Sequence, residues 1–174
     1  TDGWILLSSL GYRISKDTRD NRFNPTSGYY YALSEQFAGL GGDINYLSSI
    51  LRGSYYYKYD YVDLVVGISG EYGNIEGLNE NVSKSNRFFL GGRKVRGFDS
   101  SGIGPRVSES SSSSAVGGNN YYAGRVALRS GIGFPSETGI QWTVFTDFGT
   151  LWGVDDTADN YALNTDQKEI RMSF

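Results

Sequence analysis

Cysteine and histidine are both missing from the 174 residues, and there are only three prolines and one methionine. Without thiols there are no disulfide scaffolds, thiol nucleophiles, zinc ribbons or iron–sulfur ligands. Without imidazole the common nucleophilic triads and most zinc enzymes are excluded. Charge is scarce and nearly balanced, with 16 basic and 19 acidic residues and a net charge of −3. Such a chain has no basic field with which to hold nucleic acid. Long apolar runs are missing too. Trp4–Leu7 is typical, far short of the ~20 residues of a transmembrane helix. The chain does not open on a basic segment followed by an apolar core, so no signal peptide is expected. It stops at Glu169–Phe174, an alternating stretch with no turn signal after it. That stretch reads as a strand cut short, and a larger parent is expected.

What the chain has is glycine and tyrosine. Glycine supplies 24 residues, roughly twice the usual share, and tyrosine another 14. The dominant sequence period is two, the signature of strands. Trp4, Leu6, Ser8, Leu10, Tyr12 and Ile14 oppose Ser9, Gly11, Arg13, Ser15 and Asp17. Turn formers fill 20–28, a second strand spans Tyr29–Phe37, and Gly39–Asp43 turns the chain again. A third strand runs from about Ile44 to Tyr59, with Leu47, Leu51, Tyr55, Tyr57 and Tyr59 on one face. In the fourth, Val62, Leu64, Val66, Ile68 and Tyr72 oppose Asp63, Gly67, Ser69 and Glu71. A polar loop is expected at 77–86, and a long Gly- and Ser-rich loop at 91–120. Alternation resumes with Tyr122, Gly124, Val126 and Leu128 opposite Ala123, Arg125, Ala127 and Arg129. A Gly/Pro turn near 134–136 then leads to Ile140, Trp142, Val144, Thr146 and Phe148 opposite Gln141, Thr143, Phe145, Asp147 and Gly149.

Alternation fits a soluble β-sandwich binding module or a membrane β-barrel, whose apolar face meets lipid and whose polar face lines the lumen. Three features favour the barrel. Short and long connections alternate. Aromatic residues gather near strand ends. Charges occupy mid-strand positions at Arg13, Arg125, Arg129 and Asp147.

The most specific segment is Arg87-Phe88-Phe89-Leu90-Gly91-Gly92-Arg93-Lys94-Val95-Arg96-Gly97-Phe98, followed by Gly102-Ile103-Gly104-Pro105-Arg106. It resembles the outer-membrane protein insertase family, whose hallmark is a Val-Arg-Gly-Phe/Tyr tetrapeptide in a long extracellular loop. Here that is Val95, Arg96, Gly97 and Phe98. Asp17–Asn21 with Asn24–Tyr29 resembles the family's strand–turn–strand unit, Gly117–Asn119 its re-entry into the next strand, and Phe145–Trp152 the strand holding its lumen acid. The resemblance implies an all-β fold: an antiparallel curved sheet forming part of a 16-stranded transmembrane barrel, with 1–174 a partial barrel domain of about six strands plus a stub. It further implies the outer membrane of a Gram-negative bacterium, and a parent that folds and inserts β-barrel proteins. The implied partners are membrane lipid, unfolded outer-membrane β-barrel proteins, and accessory lipoproteins held by upstream domains. Autotransporter-assembly factors and two-partner secretion transporters share the Arg-bearing loop and are the alternatives.

A guanidinium at a glycine-flanked loop tip can bind a carboxylate through two parallel hydrogen bonds. Asp147, on the lumen parity of its strand, is the candidate partner of Arg96; the bland alternative is a solvated loop charge. The family pattern places a second acid at Ala127, which this chain lacks, with Asp99 and Glu137 as the candidates to help. No cofactor, metal or catalytic residue is expected. Asp155, Asp156 and Asp159 lack the spacing of a calcium loop. Ser110–Ser114 have no neighbouring base, and Val107–Ala115 reads as disordered.

Overall fold

A computed structural model describes residues 6–41, 44–108, 113–131, 139–155, 163–164 and 169–174. Six long strands form one antiparallel sheet: β1 (Ser9–Asp17), β2 (Gly28–Ala38), β3 (Tyr46–Tyr59), β4 (Leu64–Gly77), β7 (Asn120–Ser130) and β8 (Trp142–Trp152). A short strand, β10 (Arg171–Ser173), adds to β8 as the seventh member, and sequential neighbours pair throughout. The long strands run as an up-and-down meander, interrupted between β4 and β7 by the excursion 78–119.

The period-two pattern sets the two faces. Leu10, Ile14, Leu51, Ile68, Val126, Leu128 and Val144 are all exposed on one face. Tyr29, Tyr31, Tyr55, Tyr57 and Tyr59 gather on that face at the end of the sheet carrying the β1–β2 connection and the tight β3–β4 turn. At that end Tyr29 stacks with Tyr31. The opposite face carries most of the charges, among them Arg52, Glu71, Arg125, Arg129 and Asp147, together with the packing residues, whereas Glu35 and Lys16 lie on the outer face opposite Tyr12 and Tyr31. Ladder register confirms the alternation, since Leu128 sits opposite Val66 and Val144, while Arg125 sits opposite Ser69 and Asp147. Val62 departs from the expected pattern. It belongs to a single 3₁₀ turn, Asp60–Val62, closed by Asp63 in the left-handed region (φ 40°), and the strand begins at Leu64.

The sheet is curved toward its charged face. Arg129 of β7 donates from Nη2 to the carbonyl of Pro25, in the β1–β2 connection, at 2.6 Å. Strands β2, β3 and β4 lie between them in the sheet, so this contact crosses an arc. The connection itself is held by Asp20, whose carboxylate accepts from the Thr26 amide (2.9 Å), the Thr26 hydroxyl (2.6 Å) and the Ser27 amide (3.0 Å). These donors hold the Asp20 carboxyl well below the usual carboxylate range.

Between β4 and β7 the chain makes its longest described excursion, 78–119, and folds back over the charged face. Leu90, Val95 and Ile103 are buried there against Tyr121, Ala123 and Leu151, with Phe88 and Phe98 at the margin. Full burial of each such aliphatic side chain contributes about 1.5–3 kcal/mol, so the loop is anchored by a small core of its own. Of the Ser-rich stretch Val107–Ala115, expected to be disordered, only the two ends are described. β5 (Arg106–Ser108) pairs with β6 (Ser113–Ala115), and also with β9 (Leu163–Asn164) from the far end of the chain. Residues 109–112 lie outside the described ones.

Candidate functional site

The tetrapeptide Val95–Phe98 lies on the inner wall formed by β7 and β8. Val95 is fully buried, and its seat exists because β8 has no side chain at Gly149. A Cβ built there would come within 3.0 Å of Val95 Cγ2 and 3.1 Å of Leu90 Cδ2. Gly97 has φ 83°, a conformation that costs glycine little. It reverses the backbone directly after Arg96. Backbone bonds from Gly92 N to Phe98 O (2.9 Å) and from Ile103 N to Leu90 O (3.1 Å) close the loop around the motif.

Arg96 meets Asp147 through three donors. Its backbone amide and Nε donate to Oδ2 at 3.2 and 2.8 Å, and Nη2 donates to Oδ1 at 3.1 Å. The Asp147 side chain is 0% exposed. The Arg96 guanidinium carbon also stands 3.1 Å from the ring centre of Phe145, so the cation is held between a carboxylate and a π face. Arg125, from β7, donates to the same carboxylate from Nε (2.5 Å) and Nη2 (2.9 Å). One buried acid thus serves two arginines, one from the loop and one from the wall. Charge-assisted bonds of this kind are the strong ones.

Of the helpers considered for Arg96, Asp99 is exposed and makes no described bond to it, and Glu137 lies outside the described residues. Ala127 faces inward between Gly67 and Phe145. Asp155 has a structural use. It accepts from the Val82 amide (2.5 Å) and from Asn119 Nδ2 (2.9 Å), tying the exit of β8 to both ends of the loop. Asp156 and Asp159 are outside the described residues.

A second charged cluster, absent from the sequence reading, flanks the first. Glu71 of β4 forms an ion pair with Lys94 at 2.5 Å, and also bonds Arg52 and the Tyr121 hydroxyl. Lys94 Nζ donates to Tyr121 Oη at 2.8 Å and lies 3.9 Å from that ring's centre. Its signals were present in the sequence: Glu71 has the inward parity of Ser69, and Lys94 precedes Arg96 by two residues. The loop is therefore clasped by two acids on different strands.

An antiparallel sheet curved toward a charged wall, apolar on its outer face and filled by an inward-folded loop, is part of a transmembrane β-barrel. Such a protein crosses the membrane with strands, and among the described residues no helix is long and apolar enough to do so. The chain belongs to the Omp85 superfamily, whose domain profile matches residues 1–174. It is 34% identical over 168 residues to the outer membrane protein assembly factor BamA of Neorickettsia risticii, covering 94% of this chain and 22% of that protein. It is 34% identical over 132 residues to a SAM50-like protein of Schizosaccharomyces pombe, covering 72% of this chain and 27% of that one. The crystal structure of BamA from Haemophilus ducreyi lacking POTRA domains 1–3 superposes with a TM-score of 0.73 at 20% identity, over 83% of this chain and 30% of that chain. The chain spans less than a third of the length of each of these relatives. The superfamily match and the shared fold set aside the soluble sandwich.

Proposed function

We propose that this chain forms the loop-bearing half of the barrel in an outer-membrane assembly factor that folds and inserts β-barrel proteins. The observation that carries the reading is Val95–Phe98 seated on the inner wall with Arg96 clasped by Asp147, in a chain of this superfamily. Seven strands are in place on one side of this loop; the rest of the barrel belongs to the parent. On this reading 91–120 lies on the extracellular side, and the short hairpins face the periplasm. Lipid contacts the outer face, unfolded β-barrel proteins are the substrates, and accessory lipoproteins are held by upstream domains. The work is done by strand pairing and needs no covalent step. The coverage of a bacterial relative at 94% of this chain favours the outer membrane of a Gram-negative bacterium.

The test is reconstitution of the full-length protein in liposomes, followed by addition of a urea-unfolded β-barrel protein. Faster appearance of protease-protected, heat-modifiable product than in empty liposomes is the expected result. No acceleration over liposomes carrying a passive porin would refute it. Export of a soluble partner instead would assign the chain to the secretion branch.

A further inference from the structure

Beside the Arg96 clasp, the wall and the docked loop form an open cavity of about 290 Å³. Arg52 and Arg125 line it from the sheet, and Arg93 and Lys94 from the loop; Glu71 is its one acidic lining residue. The carboxylates nearby are already committed. Glu71 accepts from Lys94, Tyr121 and Arg52, and Asp147 is shared by Arg96 and Arg125. Five cationic side chains therefore stand against two acids, and among the described residues four of them are paired and Arg93 is not. Donors remain. Arg93 makes no hydrogen bond or ion pair among the described residues. Arg52 uses only Nε on Glu71. Ser54 and Ser69, directly opposite each other on β3 and β4, also line the cavity.

We propose that this cavity binds a small oxyanion of the phosphate class. A dianion there neutralises the surplus cations and takes guanidinium and ammonium donors from the sheet on one side and the loop on the other. Donors converging from several directions suit a tetrahedral oxyanion better than a planar carboxylate, and charge-assisted geometry of this kind is what guanidinium groups provide. Because half the donors come from the loop, the anion stabilises the docked loop by binding it and not the undocked one. The site depends on the wall and loop alone and does not rest on the assembly activity.

The test uses the full-length protein in detergent, with the unfolding temperature followed while inorganic phosphate is added against sodium chloride of equal ionic strength. A saturable rise specific to phosphate is expected. Glycerol phosphate in a parallel series separates an ester from free phosphate as the preferred source. Arg93→Gln, at an exposed position with no described contact, should melt as the wild type does without phosphate. It should raise the half-saturating phosphate concentration about tenfold, the loss of one charge-assisted hydrogen bond. Equal responses to phosphate and chloride would overturn the proposal, as would an Arg93→Gln protein whose half-saturation matches the wild type.

Discussion

Asp147→Asn keeps the shape of the side chain and removes its charge. In the structure that carboxylate is sealed from solvent and accepts bonds from both Arg96 and Arg125, including the Arg96 backbone amide. An amide in its place offers one acceptor oxygen, and turns an NH₂ toward guanidinium donors. Two cations then lose their counter-charge. Breaking a fully buried pair costs about 3–5 kcal/mol. Here the arginines keep 38% and 35% of their side-chain surface exposed, so water offsets part of the penalty, and we expect about 2–4 kcal/mol. The loss falls on loop docking more than on the sheet, whose ladders are untouched. In the full-length protein, hydrogen exchange at the Arg96 amide should therefore accelerate by at least about thirtyfold, since each 1.4 kcal/mol is tenfold, while the β3–β4 ladder amides keep their protection. A double-mutant cycle with Arg96→Gln should show coupling well above the ~0.5 kcal/mol scatter of independent sites. Unchanged exchange at Arg96, or additivity in the cycle, would refute the clasp.

Three further outcomes are expected. Lys94→Glu should destabilise loop docking by about 1 kcal/mol, as for a partly exposed ion pair, and Glu71→Lys added to it should restore part of the loss in thermal melts; no restoration would mean the pair carries no weight. Spin labels at Leu64, Leu128 and Val144 should be relaxed by lipid-soluble quenchers, whereas labels at Asp63, Ala127 and Phe145 should not, and the reverse would mean a one-residue register error. Asp20 has a folded pKa below its unfolded value, so its contribution is fully present above the unfolded value of about 3.9 and is lost only as pH falls through the lower, folded one. The melting difference between wild type and Asp20→Ala should accordingly hold from pH 7 to about pH 5 and shrink progressively as the pH is lowered further toward the folded value, and a difference that stays constant down to the acid limit of folding would show the carboxylate to be unperturbed.

The strands and their faces were legible because successive side chains meet different media. Leu128 and Arg129 cannot exchange places without putting a charge on the apolar face. The Arg96–Asp147 pairing could be proposed from parity and loop glycines. Its third member could not, since Arg125 read only as another cation on the lumen face. The Glu71 cluster depends on how far the loop reaches across the wall, which neither period nor spacing encodes. The β5–β6 pairing was illegible for another reason. It joins backbone to backbone, Arg106–Ser108 to Ser113–Ala115, with no side-chain pattern to announce it, and Arg106 and Val107 also pair with Asn164 and Leu163, more than fifty residues downstream. Val62 was placed in a strand because it continues the alternation, but the chain needed a 3₁₀ turn before Leu64 could pair with Tyr59.

The bond from Arg129 to Pro25 has a mechanical meaning. A sheet segment whose two ends are joined through the hollow behaves as a bow with its string, and its radius cannot change without stretching that link. The string runs beneath β2, β3 and β4 at the hairpin end, while the loop's buried residues wedge the same hollow against β7 and β8. One stop resists flattening and the other resists tightening. Flattening this sector would stretch the Arg129–Pro25 bond, and tightening it would press the sheet onto the loop's buried residues.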